Sequence, residues 1–175
     1  EVNLISQQFI KLTELLTGKI KLKRLYDQYL LENNSPKDFW IDAVKKLKFN
    51  LQCNYHDGSF IPKEGRIIIV ANHVFGVADG VSLCSVVSKI RQDYKILTHK
   101  VLRQADAVKD KIIPIDFSLN RQAMLSNINA RKESEKILQN DGVIVIFPSG
   151  TIATKVNLKL KTKADDGNWK QFVSK

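Results

Sequence analysis

Apolar side chains in the first part of the chain recur at helical spacing. Those of a first segment lie three or four residues apart and predict an amphipathic helix: Leu22, Leu25, Tyr26, Tyr29 and Leu30. Residues 33–36 interrupt this pattern, and Ser35 can cap a second helix that has Pro36 in its first position. The apolar face of this second helix is formed by Phe39, Trp40, Ala43, Val44 and Leu47.

The spacing then changes to that of strands. Apolar residues alternate with polar ones, as is typical of a half-buried strand, at Phe49, Leu51, Cys53 and Tyr55. Turn-forming sequences follow at residues 57–58 and 62–65. A nearly continuous apolar run over residues 66–71 then predicts a strand that is buried on both faces.

From residue 80 onward, helical and strand patterns alternate. The predicted helices cover residues 80–91 and 121–138, and the predicted strands cover residues 94–98, 112–115 and 143–147. Such alternation is typical of an α/β fold. We therefore expect a mainly parallel or mixed central sheet that is flanked by helices and preceded by an N-terminal helical segment. The expected division is a helical segment over residues 1–36, which could face a membrane, and one domain over residues 37–175.

The charge of the chain favours anionic partners. Lys and Arg total 28 and Asp and Glu total 18, which gives a formal net charge of +10. Such partners are nucleic acid, an acidic membrane surface or phosphorylated substrates. We place nucleic acid last because the aromatic residues lie apart from the basic clusters and no nucleic-acid-binding motif is present. No apolar stretch approaches the roughly 20 residues that cross a bilayer, and no signal peptide is evident, so we expect any membrane contact to be peripheral.

Lysines occupy alternate positions near the carboxyl terminus, within residues 155–163. They indicate either an edge strand that avoids association with other sheets or a basic rim for phosphate or lipid headgroups.

Cys53 and Cys84 have no partners at ligand spacing, so we expect no metal site. Buried free thiols in a reducing compartment are the expected state of both.

The end of the strand over residues 66–71 carries the most informative polar residues. His73 follows that strand, Asp79 lies where the next helix should begin, and Gly76 between them would help the segment to loop back. A carboxylate that accepts a hydrogen bond from one imidazole nitrogen leaves the other nitrogen as a base. The alternative is that Asp79 caps the helix and His73 is an ordinary loop residue. The spacing alone leaves both interpretations open.

This segment resembles the signature block of the glycerolipid (lysophospholipid) acyltransferases. Asn72-His73 followed by Asp79 matches it, although five residues separate His from Asp where the commonest form has four. The five-residue spacing, with Gly76 inside it and Asp79-Gly80 at its end, is similar to a bacterial subgroup that includes lyso-ornithine-lipid acyltransferases and hemolysin-like proteins. The resemblance implies that His73 is the general base and Asp79 its partner.

Two further segments extend the resemblance. Phe147-Pro148-Ser149-Gly150-Thr151 looks like the family's Phe-Pro-Glu-Gly-Thr block, which is implied to contact the acceptor, with Ser149 in place of Glu. On its residues alone the segment also suits a turn with Pro148 in the second position. Residues 113–116 and Arg121 correspond loosely to a middle block whose Arg is implied to hold the acceptor, unless Arg121 is a solvated residue in the first turn of its helix. The predicted substrate-binding residues are Asn72, Gly76, Arg121, Phe147, Pro148, Ser149, Gly150 and Thr151.

The resemblance implies transfer of a fatty acyl group from acyl-CoA or acyl carrier protein to the hydroxyl of a lysolipid. Lysophosphatidic acid and lyso-ornithine lipid are both plausible acceptors, and no metal or bound cofactor is expected. The implied setting is bacterial membrane lipid biosynthesis, with the protein peripheral on an anionic surface at the cytoplasmic face of the inner membrane. The basic residues of the N-terminal helix could contribute to that contact or could be solvated on a helix packed against the domain: Lys19, Lys21, Lys23 and Arg24.

Two other functions are compatible with the same residues. Ser149 could act as a nucleophile with His73 and Asp79 in a hydrolase, although Phe147 occupies the first glycine position of a Gly-x-Ser-x-Gly elbow. A non-catalytic lipid-binding module could also keep the fold.

The family continues into a helix and a further strand, and residues 167–175 resemble the beginning of that helix, so we expect a final strand to be missing from this chain.

Overall fold

A computed structural model describes residues 19–32, 39–53 and 60–150 of the chain. The chain divides into two compact units, Glu1–Ser35 and Pro36–Lys175. The first unit contains the helix α1, Lys19–Leu31, which confirms the predicted N-terminal helix. Burial along its apolar stripe is uneven, since Tyr29 is buried whereas Leu22 and Leu30 are exposed.

The second unit contains a four-stranded, all-parallel sheet with helices on both faces. The α/β prediction is therefore confirmed. The order of the strands across the sheet is β1-β4-β2-β3. In chain order the elements are α2 (Phe39–Lys46), β1 (Ile67–Val70), α3 (Val77–Ile90), β2 (Tyr94–His99), two short 3₁₀ helices (Lys100–Gln104 and Lys109–Lys111), β3 (Ile112–Ile115), α4 (Arg121–Gln139) and β4 (Val143–Ile146).

The predicted strand that begins at Phe49 is wrong over residues 49–53, and Tyr55 lies outside the described residues. Phe49 belongs instead to the end of α2. Its N–H donates to the carbonyl oxygen of Val44 at 3.0 Å, while Lys48 adopts a φ of 56° and donates to Lys45. This is the hydrogen-bond pattern of a Schellman helix end, in which an apolar residue just past the helix packs back on the core. The predicted caps of α2 at Ser35 and Pro36 lie outside the described residues.

Two apolar layers cover the sheet. On one face, α2 and α3 pack over the strands around Trp40, Val87 and Tyr94. On the other face, α4 contacts β3 and β4, and the layer contains Ile113 and Ile144. Every residue of β4 is buried, because this strand is central and covered on both faces.

The first strand differs from its prediction. Alternate residues of β1 are exposed, with Ile68 at 46% and Val70 at 40%, so burial on both faces is wrong for this strand. In the described part of the chain, β1 lies at the edge of the sheet, whereas α4 packs mainly on β3 and β4. A continuous apolar run does not distinguish a central strand from an edge strand.

The two cysteines also differ from each other. Cys84 is fully buried in α3, and burial raises the pKa of its thiol to about 12. Cys53 is exposed, because residues 49–53 do not form the expected half-buried strand. The prediction of a buried thiol is therefore confirmed for Cys84 and wrong for Cys53.

A single buried guanidinium joins the turns at the amino ends of three strands. The side chain of Arg91 is 5% exposed, and its Nε and Nη2 atoms donate to the carboxylate of Asp93 at 2.8 and 2.6 Å. Nη1 donates to the carbonyl oxygens of Pro62 and Gly65, both at 3.0 Å, and Nη2 donates to that of Asp141 at 2.6 Å. The hydrogen bond from Arg91 lowers the pKa of Asp93. The turns that lead into β1, β2 and β4 are thus held by one side chain.

We predict that Arg91→Lys strongly destabilises the fold. Lysine lacks the planar fork of donors and leaves several of these buried oxygens unpaired, so the free energy of unfolding should fall by about 3 kcal/mol. Urea denaturation followed by circular dichroism measures this difference. The exposed Arg66, which directly precedes β1, provides the matched control Arg66→Lys, and equal stability of the two variants would contradict the prediction.

Candidate active site

The carboxyl ends of β1 and β4 meet because these two strands are neighbours in the sheet. Their pairing continues past β1, since the N–H of Ala71 donates to the carbonyl oxygen of Ile146 at 3.2 Å. His73 follows β1 and Phe147 follows β4. The two rings stack with centroids 4.4 Å apart and planes inclined by 27°. The structure therefore brings together two of the three segments that the sequence indicated.

His73 also contacts the predicted carboxylate partner. Its Nδ1 atom lies 3.2 Å from Oδ2 of Asp79, and the two side chains are 20% and 19% exposed. The same Oδ2 atom accepts the backbone N–H of Phe75 at 2.7 Å. With Nδ1 donating to Asp79, the neutral imidazole has its lone pair on Nε2. The arrangement can therefore present a base whose orientation is set by two neighbours, the Asp79 carboxylate and the Phe147 ring.

The contact between His73 and Asp79 requires the backbone to reverse between them. Gly76 makes this possible with φ 63° and ψ −121°, a conformation that favours glycine. Helix α3 begins directly after it, at Val77 rather than at residue 80. The residue at the N-cap is Gly76, so the interpretation of Asp79 as the cap is wrong. Asp79 lies in the first turn and its carboxylate reaches back to Phe75, so it satisfies a backbone donor that precedes the helix.

We predict that Gly76→Ala destabilises this loop while Gly80→Ala does not. An alanine with positive φ costs about 2 kcal/mol at position 76. Gly80 lies within α3 and has open space where the Cβ of an alanine would lie, so this substitution should stabilise the helix by about 1 kcal/mol. Thermal unfolding of both variants measures the difference. Equal midpoints would contradict the backbone geometry described for Gly76.

The segment after β4 forms a tight turn, as the presence of Pro148 in its second position indicated. The N–H of Gly150 donates to the carbonyl oxygen of Phe147 at 3.0 Å, and Gly150 has a φ of 66°. Phe147, Pro148 and Ser149 are all buried, and Thr151 lies outside the described residues. Because Ser149 is only 3% exposed, its hydroxyl is poorly placed to attack a substrate, which weighs against the hydrolase alternative.

The third predicted segment lies elsewhere on the same edge of the sheet. Arg121 is the exposed first residue of α4, which follows β3 and is capped by the side chain of Asn120. The strand order places β3 three positions from β1, or about 14 Å at the usual spacing between strands. Asn72, by contrast, is exposed next to His73.

The end of β2 carries a second cluster that was not predicted. The ring of His99 stacks on Phe117 with centroids 5.7 Å apart, and its Nδ1 accepts the N–H of Val101. Beside it, Nζ of Lys100 lies 2.7 Å from Oδ2 of Asp116 and ties the end of β2 to the end of β3. In the sequence, only the location of His99 directly after a predicted strand indicates this cluster.

We predict that Lys100 sets the titration of Asp116. Hydrogen bonds from Lys100 and Ser118 lower the pKa of this carboxyl from 3.8 to about 2. Because the folded-state pKa is lowered, the pairing stabilises the fold above the ordinary carboxyl pKa of about 4 and is lost as the pH falls to about 2. Carboxyl-carbon NMR should show the midpoint rising toward its ordinary value in Lys100→Met.

Lys109→Met is the control for that titration, because Lys109 pairs with Asp106 instead. An Asp116 midpoint that stays the same in Lys100→Met would show that the ion pair does not exist in solution.

The fold and the site define a parallel α/β domain that holds a histidine–aspartate pair at the carboxyl edge of its sheet. The family model described as Acyltransferase matches residues 52–169, which is more than half of the chain. The chain therefore belongs to the acyltransferase family, and the resemblance is confirmed at that level. Searches among curated proteins and among solved structures found no match.

None of the helices in the described part of the chain is both long enough and apolar enough to cross a membrane. Among the same residues, no group of three or more His, Cys, Asp or Glu side chains could hold a metal ion.

Proposed function

We propose that the protein transfers a fatty acyl group from a thioester, on coenzyme A or acyl carrier protein, to the hydroxyl of a lysolipid. Lysophosphatidic acid and lyso-ornithine lipid are the two candidate acceptors, the second because five residues separate His73 from Asp79. The observation that carries the proposal is the contact of His73 with Asp79 at the edge of an acyltransferase-family sheet. Activity of the acyltransferase type follows from family membership, whereas donor and acceptor are part of the proposal.

In the proposed reaction, Nε2 of His73 removes the proton of the acceptor hydroxyl as its oxygen attacks the thioester carbonyl carbon. The new C–O ester bond forms, the C–S bond breaks, and the proton passes from the imidazolium to the departing sulfur. Asp79 stabilises the imidazolium in between, since its carboxylate faces Nδ1. General base catalysis of this kind contributes roughly 10²–10⁴-fold, so positioning and stabilisation of the oxyanion supply the remainder.

The surroundings of His73 favour a fixed base over a mobile one. Phe147 lies against one face of the imidazole, and the backbone N–H of Phe75 restrains the carboxylate that contacts Nδ1. Phe147 directly follows the paired strand β4, and the Asp79 carboxylate belongs to the first turn of α3. Such preorganisation lowers the cost of reaching a reactive geometry.

The proposed acceptor contacts lie at different distances from this base. Asn72 and Gly76 belong to the same loop as His73, and residues 147–150 are on the neighbouring strand end. Arg121 lies at the far edge of the described sheet. An acceptor held by Arg121 would therefore have to extend across the ends of β4 and β2.

An anionic membrane is the proposed setting, at the cytoplasmic face of a bacterial inner membrane where lipid synthesis would supply the lysolipid. The formal net charge of +10 supports such a contact. In α1, the side chains of Lys21, Lys23 and Arg24 are exposed, although Lys23 also pairs with Asp27 at 2.7 Å.

We predict that His73→Ala lowers acyl transfer at least about 10²-fold, because the hydroxyl proton then has no base. Asp79→Asn should have a loss of similar order, since an amide does not stabilise the imidazolium and can favour the wrong tautomer. The measurement is transfer of a labelled acyl chain from both donor types to both candidate acceptors. His99→Ala is the matched control, because this exposed histidine lies on β2 and pairs with neither Asp79 nor Phe147.

Equal activity of His73→Ala and the unmodified protein would exclude His73 as the base. Binding of the lysolipids without any transfer from either donor would favour a non-catalytic lipid-binding module. Labelling of Ser149 by a fluorophosphonate probe would favour the hydrolase.

A further inference from the structure

Apolar side chains are exposed together on the edge of the sheet that carries the candidate active site. The segments after β1, β2 and β3 each contribute to it, and Leu119 is fully exposed while Phe75 is 77% exposed. We refer to these residues as the carboxyl-edge surface: Phe75, Val77, Val101, Leu102, Phe117 and Leu119. Scattered single apolar residues are normal on a protein surface, but a group on three connections at one edge indicates a binding surface.

The opposite edge of the sheet has a different composition. The turns that lead into β1, β2 and β4 expose polar and charged side chains, namely Lys63, Glu64, Gln92, Asp93, Asn140 and Asp141. Apart from Leu51 and Phe60, which are exposed in the segment ahead of β1, the large apolar side chains exposed in these connections lie where the parallel strands end. General surface composition would not separate the two edges in this way.

Basic side chains accompany the carboxyl-edge surface. Arg103 lies on the same short helix as Val101 and Leu102, and Arg121 follows Leu119 by two residues; both arginines are exposed. Lys100 is there too, paired with Asp116, so the nearby carboxylate is already neutralised by a lysine. Exposed apolar residues with arginines beside them match an anionic bilayer, into which the apolar side chains insert while the guanidinium groups meet lipid phosphates.

We infer that the carboxyl-edge surface docks on an anionic lipid bilayer. This inference rests on the proposed function in one respect only, since it gives an acyltransferase direct access to lipid-embedded substrates. His73 lies at the same edge, in the loop that also contains Phe75. Docking in this orientation presents the candidate base to the bilayer, so a lysolipid reaches it without leaving the membrane.

The experiment measures binding of the full chain to vesicles of phosphatidylethanolamine and phosphatidylglycerol by cosedimentation, with phosphatidylcholine vesicles for comparison. Leu119→Asp should lower the partition coefficient about tenfold or more, because it removes an inserted side chain and adds a negative charge. Arg103→Gln should lower it about fivefold, the loss expected for one well-placed basic residue, and only on the anionic vesicles.

Two matched controls are not part of the carboxyl-edge surface. Leu31→Asp changes a leucine that is 83% exposed on α1, and Lys63→Gln removes an exposed charge at the opposite edge. Neither should alter the partition coefficient. Loss of binding in Leu31→Asp with normal binding in Leu119→Asp would overturn the inference and assign the contact to the N-terminal helix.

Thermal unfolding tests whether the remainder of this chain, instead of a bilayer, covers the carboxyl-edge surface. If Leu119→Asp lowers the unfolding temperature by several degrees, the side chain is covered in the folded protein and the inference fails. An unchanged unfolding temperature together with weaker vesicle binding supports it.

Acyl transfer to a short-chain, water-soluble lysolipid separates this inference from the proposed function. Leu119→Asp should transfer to that acceptor as well as the unmodified protein does, yet more slowly to a lysolipid in vesicles. Vesicle binding through this surface without transfer to any acceptor would retain the docking surface and reject the proposed function. If Leu119→Asp leaves transfer to a lysolipid in vesicles unaffected, the proposed function is retained and the docking surface is rejected.

Discussion

The five hydrogen bonds of the Arg91 guanidinium hold the amino ends of three strands in one place. Arg91 follows α3 directly and binds oxygen atoms in the turns before β1, β2 and β4, so distant parts of the chain are tied at one buried point. Two of these strands, β1 and β4, are separated by most of the domain in sequence and are neighbours in the sheet. A charge buried at this depth is stable only when its donors are all used, and here each of the donors that the fork offers has an acceptor. The clamp and the strand pairing therefore depend on each other.

The consequence of that pairing appears at the opposite end of the same strands. Val70 is aligned with Ile146, which places the loop with His73 beside Phe147. A shift of one residue in this register would turn Phe147 toward the other face of the sheet and remove the stack. Asp79 reaches the same imidazole by a different route, through the positive φ of Gly76 and the start of α3. The position of the His73 ring is thus defined by one long-range and one local constraint.

These two constraints differ in how far the sequence reveals them. The local one is visible in the sequence, because His73, Gly76 and Asp79 lie close together and a glycine suggests a reversal. The predicted start of α3 is nevertheless wrong by three residues. Aspartate is so frequent at N-caps that Asp79 suggests the start of a helix, whereas its carboxylate accepts a hydrogen bond from Phe75, which precedes the helix. The long-range contact is not derivable from the sequence, because strand order depends on which crossovers pack best and not on spacing along the chain.

The periodic pattern likewise identifies elements better than their environments. The strands β2, β3 and β4 and the helix α4 lie within a residue of their predicted bounds. Phe49 and Ile68 show where such patterns fail. The alternation around Phe49 belongs to the end of a helix, and the apolar run around Ile68 forms an edge strand. In both cases the residue types suit more than one packing arrangement, and tertiary contacts decide between them.

The two edges of the sheet differ in what they bury, since the amino edge buries a charge and the carboxyl edge exposes apolar side chains. At the amino edge, polar turns converge on a buried charge, so solvent and backbone oxygens satisfy the polar groups. At the carboxyl edge, the chain leaves β1, β2 and β3 through segments that expose Phe75, Val101 and Leu119. Such side chains are exposed in the unfolded chain as well, so they contribute little to folding, and covering them with a bilayer or a partner is favourable. The buried hydrogen bonds of Arg91 lie at the opposite edge, so this clamp does not require the edge with the candidate base to be buried.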